Sequence, residues 1–190
     1  MKNSFKESHL SEIYGLLIID VQERIINPIE NKELIVSNIE TLLEAYQLLG
    51  DKIYISEQNP SKLGTTLKNL IPKTNFEIFE KMNFSVAKDE KLIQALKNDK
   101  IKNLIICGFE THICIQQSVL DLLNQNLNIY IVTDAMSSRK YTDHNISIKR
   151  MISKGAILTT TESIIFEMCE TASRQEFKAI SNIIKKRSHK

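Results

Sequence analysis

The stretch LIICGFETHICIQQSV, Leu104 to Val119, places a cysteine six residues after a glycine that closes an apolar run. Cys114 stands where an amphipathic pattern begins. Ile115, Val119, Leu122 and Leu123 make one apolar stripe, with Gln116, Gln117, Asp121 and Asn124 facing elsewhere. Thr111 is suited to cap that helix. Backbone N–H groups in a first helical turn lack helical partners, and together with a nearby cation they lower a thiol pKa from about 8.5. Cys114 can therefore be a nucleophile. It can also be a small buried hydrophobe, which is the reading for Cys107 inside LIICG and for Cys169. Two further residues have chemistry to offer. Asp20 closes four consecutive apolar residues, Leu16 to Ile19. It can cap a turn, or, at the rim of a low-dielectric sheet, serve as a base with a raised pKa. Lys81 follows NFEIFE and is either a surface lysine or a charge that neutralises a carboxylate and holds a developing anion.

These three residues fall at the ends of short apolar, β-branched runs: YGLLIID, KIYIS, NFEIFE, NLIICG, NIYIVTD and GAILTT. Helical patterns lie between them. Ile35, Ile39, Leu42, Leu43 and Tyr46 share one face. Residues 112–126 form another helix, 88–97 and 143–154 shorter ones, and 173–186 a last one carrying Phe177, Ile180, Ile183 and Ile184. Such alternation predicts an α/β fold: a three-layer α-β-α sandwich around a six-stranded parallel sheet in the Rossmann-like order 3-2-1-4-5-6. Ligands of such sheets bind beyond the carboxyl ends of the strands, where strand order reverses. The polar residues there are Asp20, Ser56 to Gln58, Glu80 and Lys81, the Gly108–Cys114 loop, and Asp134. Asp134 is expected to fix a loop. Strands one and four flank the reversal, which brings Asp20 and Cys114 together. Lys81 lies two strands from Asp20 and is expected to reach it only through a loop that folds back.

The chain has 190 residues, 42% hydrophobic and 25% charged, with a net charge of +2. It reads as one domain over 13–187 after a loose lead-in at 1–12. The charge is too small to argue for nucleic acid, and the terminal KKRSHK reads as a solvated tail. No apolar run has the length of a membrane span, and the N-terminus lacks the apolar centre of a secretory signal. Three cysteines without C-x-x-C spacing suggest a reducing, cytoplasmic setting. IIDVQERI lacks a Gly-x-Gly-x-x-Gly turn, and no phosphate-cradling Gly-x-x-x-x-Gly-Lys run exists.

LLIIDVQ, FEKMNFS and CGFETHICI, in this order, resemble the motifs of the isochorismatase-like cysteine hydrolases, a superfamily that contains nicotinamidases, N-carbamoylsarcosine amidase and isochorismatase. The likeness covers nearly the whole chain. EQNPSKLGTT, TDAMSSR and GAILTTTESIIFEM make it most similar to the isochorismatase-domain-containing branch. The resemblance implies Asp20, Lys81 and Cys114 as a catalytic triad. It implies a cis peptide between Phe109 and Glu110, and an oxyanion hole from the N–H groups of Glu110 and Cys114. It further implies a cysteine hydrolase of a small-molecule amide or related C–N bond, working through a thioester. A hydrolase of an ester or enol ether, or a catalytically weak binding or scaffold member of the fold, are the alternatives.

Two departures narrow this. The metal-binding pattern of nicotinamidases, an Asp with two closely spaced His after the second strand, is replaced by SEQNPSKLG, which has no histidine. His9, His112, His144 and His189 show no ligand-like spacing. No metal and no cofactor are expected, and nicotinamidase activity is discounted. Retention of Cys114 points away from isochorismatase proper and toward acyl transfer. For the substrate pocket, Gln58, Glu57, Phe84, Ser85, Phe109 and His112 are candidates, with Asn83 beside them. Homo-oligomers are expected, with the apolar C-terminal helix as a contact; neither nucleic acid nor membrane is expected as a partner.

Overall fold

The computed structural model describes residues 13–50 and 52–187, so the lead-in at 1–12, His9 and His189 lie outside the described residues. Strands are β1 (Tyr14–Ile19), β2 (Lys52–Gln58), β3 (Phe76–Lys81), β4 (Asn103–Phe109), β5 (Asn128–Ser137) and β6 (Ile157–Thr159). Helices are α1 (Glu23–Ile26), α2 (Lys32–Leu49), α3 (Pro60–Leu63), α4 (Glu90–Asn98), α5 (Gln116–Leu122), α6 (Tyr141–Ile152), α7 (Thr161–Cys169) and α8 (Phe177–Arg187). All strand pairings are parallel and the order is β3-β2-β1-β4-β5-β6, as the alternation predicted.

Successive strand residues point to opposite faces, and the two cores divide accordingly. Leu16, Ile18, Ile53, Ile55, Ile105 and Cys107 pack in one cluster with Ile35, Ile39, Leu42 and Tyr46 of α2, Ile164 and Ile165 of α7, and Ile180, Ile183 and Ile184 of α8. Leu17, Ile19, Tyr54, Leu104 and Ile106 pack in the other with Leu92 and Leu96 of α4, Val119 and Leu122 of α5, and Met151 of α6. Because β1 and β4 are covered on both sides, their apolar runs are continuous rather than alternating. The apolar residues of α8, Ile180, Ile183 and Ile184, are packed inside the chain. The helix α7, in TESIIFEMC, was not foreseen; Thr160 caps it by accepting from the Ser163 N–H.

Asp134 acts as an anchor within β5 rather than at its end. Its carboxylate accepts from the N–H (2.7 Å) and hydroxyl (2.9 Å) of Thr161 and from Arg187 of α8 (2.6 Å). Arg187 also donates to Asn38 of α2 at 2.8 Å. One half-buried residue thus ties α2, α7 and α8 to the sheet.

Gly108 lies where β4 runs alongside the end of β1, with φ +121°. A Cβ there would stand 2.1 Å from the Ile19 carbonyl oxygen, which is rigid backbone. Gly155 also has positive φ (+105°), but a Cβ on it would meet nothing within 4 Å. Gly108→Ala is therefore expected to cost about 3 kcal/mol or more, from the clash plus the backbone conformation. Gly155→Ala is expected to cost about 1 kcal/mol. Urea denaturation of the two variants checks this, and equal losses would contradict the close strand approach.

Candidate active site

Asp20 follows directly on β1 and is fully buried. Its φ of +53° turns the chain out of the strand, a conformation Asp tolerates better than most residues. Its N–H donates to the Ser56 carbonyl (3.0 Å), and Ser56 Oγ donates to Asp20 Oδ1 at 2.7 Å. Lys81 Nζ donates to Asp20 Oδ2 at 2.7 Å and to Gln58 Oε1 at 2.7 Å. No folded-back loop is needed for this. Lys81 is the last residue of β3, in register with Gln58 of β2. Its long side chain crosses β2, two strand spacings of about 9.6 Å in all. Gln58 is oriented in turn: its Nε2 donates to the Met82 carbonyl (2.9 Å) and its backbone N–H to Gln22 Oε1 (2.7 Å). Gln22 Nε2 reaches the carbonyls of Gln58 and Gly64. The ion pair is thus embedded in fixed amides rather than in water.

Cys114 sits in a single π-helical turn, Thr111–Ile115, between β4 and α5. Its thiol feels the charges of both Asp20 and Lys81. Burial pushes the thiol well above its ordinary range, and the Asp20 charge adds to this while Lys81 opposes it. The sequence argument had the opposite sign. It counted the helix end and a cation, but not the desolvation or the facing carboxylate. Burial also raises Asp20 above its ordinary value, against the lowering effects of Lys81, Ser56 and Cys114. The resting site therefore sets a protonated thiol beside a carboxylate with enhanced basicity.

The loop before Cys114 is held at several points. The peptide bond from Phe109 to Glu110 is cis. The Glu110 carboxylate accepts from the N–H (3.1 Å) and Nε (3.0 Å) of Arg139. Thr111 is no helix cap: its buried hydroxyl pairs with His144 Nδ1 at 3.0 Å. His112 Nδ1 meets Ser138 Oγ at 3.0 Å. Ser118 Oγ donates to the Cys114 carbonyl (2.6 Å) and accepts from the Val86 N–H (3.0 Å).

A cleft of about 250 Å³ opens over Cys114, lined also by Arg24, Ile25, Pro28, Gln58, Leu63, Phe84, Glu110, Ile113 and Arg139. Of the wall candidates from sequence, Gln58 and Phe84 are here. Glu57 is buried and accepts from the Thr66 N–H at 2.7 Å. Ser85 caps a short turn through the Ala87 N–H, Phe109 is buried in the core, and exposed Asn83 is not among the lining residues. His112 is turned to Ser138. Sequence reasoning missed Arg24, Ile25, Pro28, Leu63, Ile113 and Arg139. Arg24 and Ile25 belong to a four-residue helix too short to show a period. Arg139 lies two residues past a strand end, and a wider reading of the strand-end rule would have found it. Among the described residues, no group of three or more His, Cys, Asp and Glu side chains is placed to hold a metal.

Comparison with known proteins finds relatives over most of the chain. Isochorismatase family protein 1B of Dictyostelium discoideum is 36% identical over 181 residues, covering 93% of this chain and 88% of that one. A protein of Phytophthora sojae named secreted isochorismatase effector Isc1 is 33% identical, covering 90% and 83%. A solved structure described as a MAR1 ribonuclease from Caenorhabditis elegans superposes with a TM-score of 0.85 at 32% identity, covering 90% and 89%. The model of the Isochorismatase domain matches residues 14–163, and the chain belongs to that family of hydrolases.

Proposed function

We propose that this chain is a cysteine hydrolase of a small-molecule amide or related C–N bond, acting through a thioester. The observation that carries the reading is the buried Asp20–Lys81 ion pair acting on the Cys114 thiol, which lines the cleft. Asp20 takes the thiol proton as Sγ attacks the carbonyl carbon. The raised pKa of Asp20 favours that transfer, and Lys81 carries the compensating charge. The N–H groups of Glu110 and Cys114 hold the tetrahedral oxyanion, a device worth about 2.7–4 kcal/mol per donor in a known hydrolase. The C–N bond breaks and the amine leaves with the proton from Asp20. Asp20 then deprotonates water, the hydroxide adds to the acyl carbon, and the C–S bond breaks. A carboxylic acid is released and Cys114 regains its proton. The net reaction is amide plus water to acid plus amine.

The cleft volume and its apolar walls suit a small molecule rather than a polymer. Cys107, Cys114 and Cys169 are free thiols, which supports a reducing, cytoplasmic setting as part of this proposal. No helix among the described residues is long and apolar enough to cross a membrane. One domain over 13–187 that self-associates also belongs to the proposal. Exposed Ile157 and Leu158 on the open edge strand β6 are the better contact, since α8 is already packed.

Ammonia release from a panel of small primary amides tests the reaction. Turnover of at least one amide is expected, and Cys114→Ala should lower it by at least about a thousandfold. Release that survives the substitution would remove Cys114 as nucleophile.

A second test separates the two roles of Asp20. In the native site its charge raises the thiol pKa, so Asp20→Asn should move the pH profile of Cys114 alkylation by iodoacetamide to lower pH. Lys81 is then left facing the sulfur unopposed. Amide hydrolysis should fall by about a hundredfold or more, because the base is gone. The acid limb of native kcat/KM should lie above pH 3.8, since protonation of Asp20 is what ends activity there and its pKa is raised. An alkylation profile moved to higher pH in Asp20→Asn would contradict the charge arrangement.

A further inference from the structure

We infer that the substrate carries an anionic carboxylate, received by the guanidinium of Arg24 at the cleft wall while its amide faces Cys114. This rests on the hydrolase reading above and names its substrate class.

The cleft is lined by three charged side chains: Arg24 and Arg139 as cations and Glu110 as an anion. The buried Asp20–Lys81 pair is not among the lining residues and is neutral as a unit. The cleft thus has one positive charge in excess. The two arginines are not equivalent. Arg139 is already committed: its backbone N–H and its Nε both donate to Glu110. Among the described residues, Arg24 has no carboxylate partner; its Nη1 donates to the backbone carbonyl of Lys62. That contact ties α1 to α3 across the cleft and orients the guanidinium without neutralising it. An arginine presents five donors in a planar fork and does not lose its charge, so the remaining donors match a carboxylate in two-point geometry.

The other walls define the rest of the ligand. Ile25, Pro28, Leu63, Phe84 and Ile113 are apolar. Arg24 is itself exposed at the cleft rim, so a carboxylate is held there by two-point hydrogen bonding while the rest of the ligand lies against these apolar walls. The ligand that satisfies all surfaces is a short acyl or alkyl chain with an amide at one end and a carboxylate at the other. A neutral amide of the same length would leave Arg24 unmatched.

The test uses the thiol itself, so that no substrate need be known. Iodoacetate, 3-bromopropionate and 4-bromobutyrate are compared with their uncharged amides as alkylating agents of Cys114 in the native protein. In each reaction the Sγ–C bond forms as the carbon–halogen bond breaks, halide departs and the thiol proton passes to Asp20. Rates are divided by those with free N-acetylcysteine, which removes intrinsic reactivity. For at least one acid of the series, the acid-to-amide ratio should exceed that of the free thiol by about tenfold or more and should saturate with concentration. Arg24→Gln should abolish that preference, and Arg24→Lys should retain part of it; unfolding midpoints check that both variants fold. If acids and amides label Cys114 with the same ratio as the free thiol, the anion subsite does not exist, while the hydrolase reading stands on its own amide panel. If neither class labels Cys114, both readings fail together. A preference that persists in Arg24→Gln overturns the assignment to Arg24.

Discussion

A lysine and an aspartate, from strands that do not touch, meet inside the protein at 2.7 Å. Removing each ion from water costs of order several kcal/mol, and their attraction offsets this only if the remaining donors and acceptors are also satisfied. Here they are. Ser56 serves the second oxygen of Asp20, and Gln58 gives Lys81 a neutral acceptor. Gln58 can do so because the Met82 carbonyl fixes its side-chain amide while Gln22 holds its backbone. The register of β1, β2 and β3 at their carboxyl ends is what this network requires: a slip of one residue would turn Gln58 or Lys81 to the other face. The chemistry of the cleft depends on that constraint, since a single carboxylate in this dry setting would be protonated and useless as a base.

The thiol is the third member, and its environment differs from that of a permanently ionised cysteine. Desolvation and the facing carboxylate keep it protonated at rest. Such a sulfur is protected from adventitious oxidation, which needs the thiolate. In the proposed mechanism it becomes nucleophilic only as Asp20 accepts its proton. The turn that carries it is held from both ends, by Arg139 on Glu110 and by Ser118 on the Cys114 carbonyl. The geometry between sulfur and carboxylate is thereby fixed by hydrogen bonds that take no part in the proposed reaction.

Much of this was legible in the residue string. Four apolar residues before Asp20, four before Gly108 and the stripe after Cys114 signal strand, strand and helix, because burial on two faces and burial on one leave different periods. The sheet order followed from the same alternation and the handedness of crossovers. The cleft was legible only in part. Gln58 and Phe84 were found at strand ends. Glu57, adjacent to Gln58, was not distinguishable from it, since neighbouring residues on a strand face opposite ways and sequence does not say which way is in. Thr111 looked like a cap because the sequence pattern of a helix start does not reveal a π turn, nor a histidine 33 residues on that competes for its hydroxyl.

The sequence alone determined the fold class, the strand order and the three side chains with chemistry to offer, because those follow from local period and residue type. Tertiary structure decided what they do to one another. It set the thiol pKa upward rather than downward, let Lys81 bridge β2 without a loop, and left Arg24 facing the cleft without a counter-charge. Each of these depends on distance and on exclusion of water, and neither quantity is carried by the order of residues until the sheet has brought distant strands together.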